Sequence, residues 1–190
     1  MRDLLADLLA QATRKGATAA DAFVVQDQAF SAQVRLGQVD TVKHARDQHV
    51  ARRVFVGQSV AAASTSDLTA EAMTRLVDEA VSLARVTSPD ELAGLPDAGL
   101  LAREVPDLDL HDPHGHDLPP EGKIELARRC EAAAPEADPR ITNSEGGDFG
   151  DRRARYAYAT SHGFSGEYRT SSFSLAVSPV AAEHGEMERD

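Results

Sequence analysis

Hydrophobic residues recur at helical spacing in three stretches of the 190-residue chain. The first stretch ends at Gly16, a residue that commonly terminates helices. The second begins at Thr69, a favourable N-cap residue, and the third begins at Pro119-Pro120 and is predicted to end at Pro135 and Pro139. The three apolar stripes are Leu4, Leu5, Leu8, Leu9, Ala12; Met73, Leu76, Val77, Ala80, Val81, Ala84; and Ile124, Ala127, Cys130, Ala134.

Between the first two helices, apolar and polar residues alternate, which is typical of half-buried strands. Gly37-Gln38 and Gly57-Gln58 interrupt the alternation, and glycine at the first position of a two-residue loop suits a type II′ hairpin. A second group of strands follows the third helix, with a turn predicted at Gly150-Asp151. The predicted strands are Ala22–Gln26, Phe30–Leu36, Val39–His44, Val50–Val56, Ser59–Ala63, Ile141–Phe149, Arg153–Thr160 and Glu167–Val180.

This order of elements predicts an α+β fold, with a mostly antiparallel sheet, helices packed on one face, and a second group of strands after it. Residues 1–85 form an α/β unit with a β-meander, and residues 86–118 form an acidic, proline-rich connection. Residues 119–190 form a helix followed by antiparallel strands. Because the chain stops directly after a strand, we expect residues 1–190 to be the N-terminal region of a longer protein.

The net charge of −11 narrows the possible partners. Residues 86–138 hold 13 acidic and 4 basic side chains, and eight of the nine prolines lie between Pro89 and Pro139. Such a balance opposes binding to nucleic acid and to anionic membranes. The longest uncharged runs have 13 residues, too few to span a bilayer, and the single Cys130 excludes an intrachain disulfide. A cytoplasmic location is expected.

A histidine-rich loop is the first candidate site. His111, His114 and His116 lie among aspartates, and imidazoles with carboxylates can bind Zn²⁺ or Ni²⁺. The alternative is a solvated acidic loop, because a short loop rarely fixes three ligands at tetrahedral angles.

Two polar segments are the second candidate. Ser144, Glu145, Gly146 and Gly147 lack the downstream residues of a phosphate-binding loop, and the glycine pair indicates a bend or a close approach of another backbone. Thr170, Ser171 and Ser172 form a hydroxyl-rich run on a strand. Both segments could line the path of an extended peptide or form an interface. The alternative is ordinary sheet packing. No complete active site is found.

Five strings in this order resemble the TldD/PmbA family, whose members are often labelled modulators of DNA gyrase. The resemblance extends from the first helix to the last residue and is closest to the PmbA (TldE) branch. The strings are Ala63–Leu68, Arg85–Asp90, Pro106–Leu110, Arg140–Gly147 and Gly185–Asp190.

The resemblance implies a cytoplasmic zinc metalloprotease complex that cleaves flexible or unfolded peptides. Family members form TldD–TldE heterodimers, or homodimers in some branches, and an H-E-x-x-x-H helix in the C-terminal half of the TldD-type subunit holds the zinc. This chain lacks that motif, so the resemblance implies no catalytic residue and no cofactor here, with zinc expected in the TldD-type partner. The chain would then be an N-terminal scaffold of a PmbA/TldE-type subunit. The alternative is a non-enzymatic module that binds peptides through its sheet edges.

Overall fold

The computed structural model describes residues 1–115 and 117–189. The strands form one six-stranded sheet in the order β3-β2-β1-β4-β5-β6, which confirms the α+β prediction. The elements are α1 (Arg2–Arg14), β1 (Ala19–Arg35), β2 (Gln38–Val56), β3 (Ser59–Thr65), α2 (Ala70–Val86), a 3₁₀ turn (Ala98–Leu100), α3 (Pro120–Ala137), β4 (Ile141–Thr160), β5 (Ser165–Glu183) and β6 (Glu186–Arg189).

The three helices lie where the apolar periodicity predicts them. Thr69 caps α2, since its side chain accepts a hydrogen bond from the backbone of Ala72. The end of α3 differs from the prediction, because the helix passes through Pro135 and stops at Ala137. Proline deprives the helix of one N–H donor, and α3 ends two residues after Pro135.

The strands are longer than predicted. The five expected before α2 are three, and the two expected on either side of Gly150-Asp151 are one continuous strand, β4. The strands also run through segments in which apolar and polar residues do not alternate. There, polar side chains of neighbouring strands bind each other: Arg152 binds Asp27, and Arg153 binds Gln28.

The first hairpin turn lies one residue earlier than predicted. Leu36 and Gly37 occupy it with φ of 50° and 73°, the pattern of a type I′ turn. At Gly57-Gln58 the turn lies where predicted, and Gly57 has the positive φ of 62° that its type requires.

The chain divides into two compact units. Unit 1 comprises residues 1–26, 47–108 and 154–169, and unit 2 comprises residues 27–46, 109–153 and 170–190. In unit 1, α1 and α2 bury an apolar cluster against their strands, including Leu5, Leu8, Val54 and Val77. In unit 2, the buried apolar cluster consists of Phe30, Ala32, Val34, Ala127 and Phe149.

None of the helices in the described part of the chain is long and apolar enough to cross a membrane.

Candidate functional site

Helix α3 of unit 2 carries a buried carboxylate onto the β1–β2 turn. Glu131 Oε1 accepts a hydrogen bond from the Leu36 amide at 2.7 Å, and Oε2 accepts one from the Gly37 amide at 2.9 Å. Arg128, one turn earlier, donates to the Gly37 carbonyl at 3.2 Å. A left-handed backbone costs a non-glycine residue such as Leu36 roughly 1–2 kcal/mol, so these bonds help to hold the turn in place.

The surroundings of Glu131 keep it ionised. Burial alone raises the pKa of its carboxyl, but hydrogen bonds from Gly37, Leu36 and the Ser144 side chain, together with the charge of Arg35, outweigh burial. The net result is a pKa lowered from its ordinary value. A carboxylate in this state is suited to holding backbone amides and not to supplying a proton.

Ser144 is part of the same arrangement. It is 5% exposed, its hydroxyl oxygen accepts from the Gly146 amide at 2.8 Å, and its carbonyl accepts from the Arg35 side chain at 3.2 Å. The side-chain hydrogen bond to Glu131 uses the hydroxyl proton. The Ser144 hydroxyl therefore links α3 to β4.

The glycine pair after Glu145 brings the backbone of β4 against α3. A Cβ on Gly147 would lie 2.3 Å from the Ala127 carbonyl oxygen and 3.0 Å from the Glu131 amide nitrogen. Gly146 has a φ of 132°, which side chains rarely adopt. The close backbone approach predicted for this pair is present, and it seats α3 on the sheet. We call Glu131, Ser144, Gly146 and Gly147, with the β1–β2 turn, the α3 latch.

Glu145 is the exposed member of the Ser144–Gly147 segment. Its carboxylate binds Arg189 of β6 at 2.8 Å, and half of its side chain is exposed. Two of the strings that carry the family resemblance, Arg140–Gly147 and Gly185–Asp190, therefore meet through this ion pair.

Two clefts border this part of unit 2. One of about 210 Å³ adjoins Glu131 and the β1–β2 turn, and one of about 300 Å³ adjoins β6. The first is lined by Leu36, Gly37, Glu131, Pro135, Ile141, Thr142, Asn143 and Ser144. The second is lined by Asp138, Arg140, Ile141, Pro179, Ala181, Glu188 and Arg189.

The sequence pattern does not predict a buried ion pair between α3 and β4. Lys123 Nζ lies 2.5 Å from an Asp151 carboxylate oxygen, both side chains are less than 10% exposed, and the ammonium lies 4.8 Å from the centre of the Phe30 ring. The apolar stripe predicted for α3 does not include Lys123. The side chains that α3 buries are Lys123, Ala127, Glu131 and Ala134. Their spacing of four, four and three was the signal available in the sequence.

Thr170, Ser171 and Ser172 lie on β5, where the segment before α3 reaches the strand. The Ser171 amide donates to the Leu110 carbonyl at 2.8 Å, and the Ser171 hydroxyl accepts from the Asp112 amide at 2.8 Å. Ser171 is thus engaged within the chain. Ser172 is exposed and Thr170 is half-buried.

The histidine-rich loop does not gather metal ligands in the described part of the chain. The ring of His114 lies 3.5 Å from Asp117, and both are exposed. His111 is half-buried, and His116 lies outside the described residues. Among residues 1–115 and 117–189 no three His, Cys, Asp or Glu side chains lie close enough together to hold a metal ion.

Two family models match the chain in order. Residues 20–84 match PmbA/TldA metallopeptidase domain 1, and residues 113–190 match the PmbA/TldA metallopeptidase central domain. Both the α3 latch and β5 include residues of the central-domain match.

Curated relatives agree with these matches. Metalloprotease PmbA of Escherichia coli O157:H7 is 39% identical over 171 residues, which cover 90% of this chain and 38% of the relative. The Metalloprotease PmbA homolog of Haemophilus influenzae is 36% identical over 179 residues, covering 94% of this chain and 39% of the relative. The chain thus spans under two fifths of the length of these relatives.

Solved structures show the same fold. A Bacteroides thetaiotaomicron protein described as a modulator of DNA gyrase superposes with a TM-score of 0.87 at 24% identity, covering 98% of this chain and 42% of that one. TldE from Thermococcus kodakarensis superposes with a TM-score of 0.77 at 17% identity, covering 97% of this chain and 40% of that one. From the family models and the sequence identities, with the fold in agreement, the chain belongs to the PmbA/TldD metallopeptidase family.

Proposed function

We propose that residues 1–190 are the N-terminal scaffold of a PmbA/TldE-type subunit in a zinc metalloprotease complex. The complex cleaves flexible or unfolded peptides, and the zinc is held by a TldD-type partner subunit in a heterodimer. One observation carries the proposal: two metallopeptidase family models match in order along the chain, while its described residues offer no set of metal ligands.

The chemistry of the described residues supports a scaffold role. The carboxylates buried in unit 2 are engaged in structure, with Glu131 on the backbone amides of the β1–β2 turn and Asp151 on Lys123. A general base must reach a substrate proton, and these groups are turned inward instead. In the proposed complex, this chain orients neighbouring parts of the protein and takes no part in bond cleavage.

A reconstituted complex tests the proposal. A version of the protein spanning the length of its curated relatives is expressed alone and together with a TldD-type subunit, and cleavage of an unstructured peptide is followed by mass spectrometry. We expect cleavage only when both subunits are present, and we expect a zinc chelator to abolish it. Cleavage by the PmbA-type subunit alone, or cleavage that survives chelation, would contradict the proposal.

The second candidate is a non-enzymatic module that binds peptides through its sheet edges. The observation in its favour is the exposure of Ser172, Phe173, Ser174 and Leu175 on β5. It predicts that the 190-residue chain binds unstructured peptides without metal. Flat calorimetric titrations with a panel of such peptides would exclude it.

A further inference from the structure

A segment of unit 1 exposes three leucines on a backbone that is tied to the fold. Residues 89–108 follow α2 and contain the 3₁₀ turn. Within them, Leu92, Leu100 and Leu108 are 95%, 79% and 64% exposed. Single exposed apolar side chains are common on protein surfaces, but a group of them rimmed by polar residues marks an interaction surface.

Contacts along the segment hold it on the body of unit 1. The Asp90 amide donates to a carbonyl of the β2–β3 turn at 2.9 Å. The Pro96 carbonyl oxygen lies 2.9 Å from Nδ1 of the His162 ring. Farther along, Val105 packs beside β5, since a Cβ on Gly166 would lie 3.4 Å from a Val105 methyl carbon. The three leucines are therefore presented on a held backbone and do not belong to a free linker.

The charges between the leucines are almost all negative. Residues 89–108 contain one basic side chain, Arg103, and five acidic ones: Asp90, Glu91, Asp97, Glu104 and Asp107. Three of these carboxylates are exposed and take part in no ion pair within the described part of the chain, namely Glu91, Asp97 and Glu104. Each exposed leucine has an acidic residue within three positions of it in the sequence. Apolar side chains thus alternate with carboxylates that are free to pair with a cation.

We propose that residues 89–108 are a docking surface for the TldD-type partner subunit, an inference that rests on the proposed function. The leucines enter apolar pockets of the partner and supply most of the affinity, as buried anchors do in protein interfaces. Lys or Arg side chains around those pockets pair with the carboxylates, which steers association and fixes the register of the two subunits.

The charge pattern decides which occupant fits this surface. Carboxylates repel nucleic acid and anionic membranes. An apolar cover from the same chain would bury carboxylates without cations, which is strongly unfavourable. A flexible peptide of varying sequence does not supply basic side chains at fixed positions. A folded partner subunit does, and ion pairs at the rim of such an interface keep their access to water.

Matched serine variants test the apolar part of the proposal. They are made in a version of the protein spanning the length of its curated relatives, and calorimetry measures the Kd for a TldD-type subunit. The test variant replaces the three exposed leucines: Leu92→Ser/Leu100→Ser/Leu108→Ser. The control replaces three other exposed apolar residues, all outside the segment: Val39→Ser/Val42→Ser/Leu83→Ser.

The leucine variant is expected to bind the TldD-type subunit about tenfold more weakly or worse, and the control to stay within about twofold of wild type. The melting temperature of the isolated leucine variant should match that of the isolated control, because exposed side chains contribute little to folding. Unchanged affinity would overturn the proposal. A leucine variant less stable than its control would also overturn it, because the leucines would then pack within their own subunit.

A charge variant tests the chemistry of the partner surface. Glu91→Gln/Asp97→Asn/Glu104→Gln should weaken binding about threefold or more at low salt, and the difference from wild type should disappear at high salt. Affinity that is equal to wild type at low salt would overturn the basic rim. Wild-type subunits that fail to associate at all would instead refute the proposed function, so the two failures are distinguishable.

Discussion

The two units bury different kinds of side chain. Among the described residues, the unit 1 cluster contains 19 buried apolar residues, whereas the unit 2 cluster contains five. Unit 2 instead buries Lys123, Glu131 and Asp151 around a helix whose contact face includes two alanines. Apolar burial stabilises roughly in proportion to the area removed from water, whereas a buried ion pair depends on both partners being present. Unit 1 therefore relies more on apolar area, and unit 2 relies more on specific partners around α3.

Among its described residues, unit 1 also buries three polar side chains, Asp21, Arg52 and Thr160. Arg52 is 1% exposed, and its Nη2 donates to the Leu8 carbonyl of α1 at 2.8 Å. Burial lowers the pKa of its guanidinium to about 10. A polar cluster on the strands of unit 1 lies outside the apolar cluster and consists of Asp21, Arg53 and Tyr158.

The largest expected effect comes from breaking the buried ion pair of unit 2. Lys123→Met leaves the Asp151 carboxylate buried without its cation, and we expect the free energy of unfolding to fall by about 3–5 kcal/mol in urea titrations at neutral pH. The double variant Lys123→Met/Asp151→Leu removes both charges and should recover most of that loss. A double variant as unstable as the single one would show that α3 depends on the charges themselves.

An exposed pair in unit 1 provides the matched control. Lys15 on the α1 side binds Asp78 of α2, and both side chains are at least one third exposed. Lys15→Met should lower the free energy of unfolding by no more than about 1 kcal/mol, because water screens the pair.

The next effect tests the glycine contact of the α3 latch. Gly147→Ala places a methyl group 2.3 Å from the Ala127 carbonyl oxygen, so α3 must move away from β4, and we expect a loss of about 2–3 kcal/mol. Gly99→Ala is the control, since a Cβ there meets no atom within 4 Å. Equal stability of the two variants in thermal and urea unfolding would contradict the close packing of α3.

The difference between the units also explains what the sequence could predict. Helices α1 and α2 follow the 3.6-residue periodicity because apolar burial dominates unit 1. The apolar periodicity predicts Ile124 and Cys130 on the buried stripe of α3, whereas Lys123 and Glu131 are buried there through partners distant in sequence. Periodicity carries no information on such pairs. The glycine pair was recognised as a close backbone approach, but its partner α3 was visible only in three dimensions.

A smaller effect, with a defined pH dependence, is expected for the carboxylate of the α3 latch. Glu131→Gln keeps the shape but replaces one acceptor of the Leu36 and Gly37 amides by a donor, for an expected loss of about 1–2 kcal/mol at neutral pH. Because the folded-state pKa of Glu131 lies below its ordinary 4.5, its contribution is present above that pH and is lost as the pH falls through the lowered value.

Urea unfolding between neutral pH and pH 3 measures this difference. The wild-type chain should lose more stability in the acid range than Glu131→Gln, so the two curves converge as the pH falls. Glu125→Gln, an exposed position on the same helix that pairs with Arg128, should follow the wild-type curve within about 0.5 kcal/mol. Parallel curves for wild type and Glu131→Gln would contradict the lowered pKa.

The smallest effect is expected for the polar cluster of unit 1. The Tyr158 hydroxyl donates to Asp21 at 2.9 Å, and burial, followed by this hydrogen bond, raises the pKa of Tyr158 to about 12. A raised pKa gives a contribution that is complete below the ordinary value of 10 and is lost as the pH rises toward 12. In an ultraviolet titration of tyrosinate, one component should therefore appear near pH 12, and Tyr158→Phe should remove it and flatten the alkaline loss of stability. Tyr168→Phe, which removes only the hydroxyl of an exposed ring stacked on Tyr156, should leave that late component in place. If the late component survived in Tyr158→Phe, it would not come from Tyr158. That result would contradict the hydrogen bond from Tyr158 to Asp21 as a cause of a raised pKa.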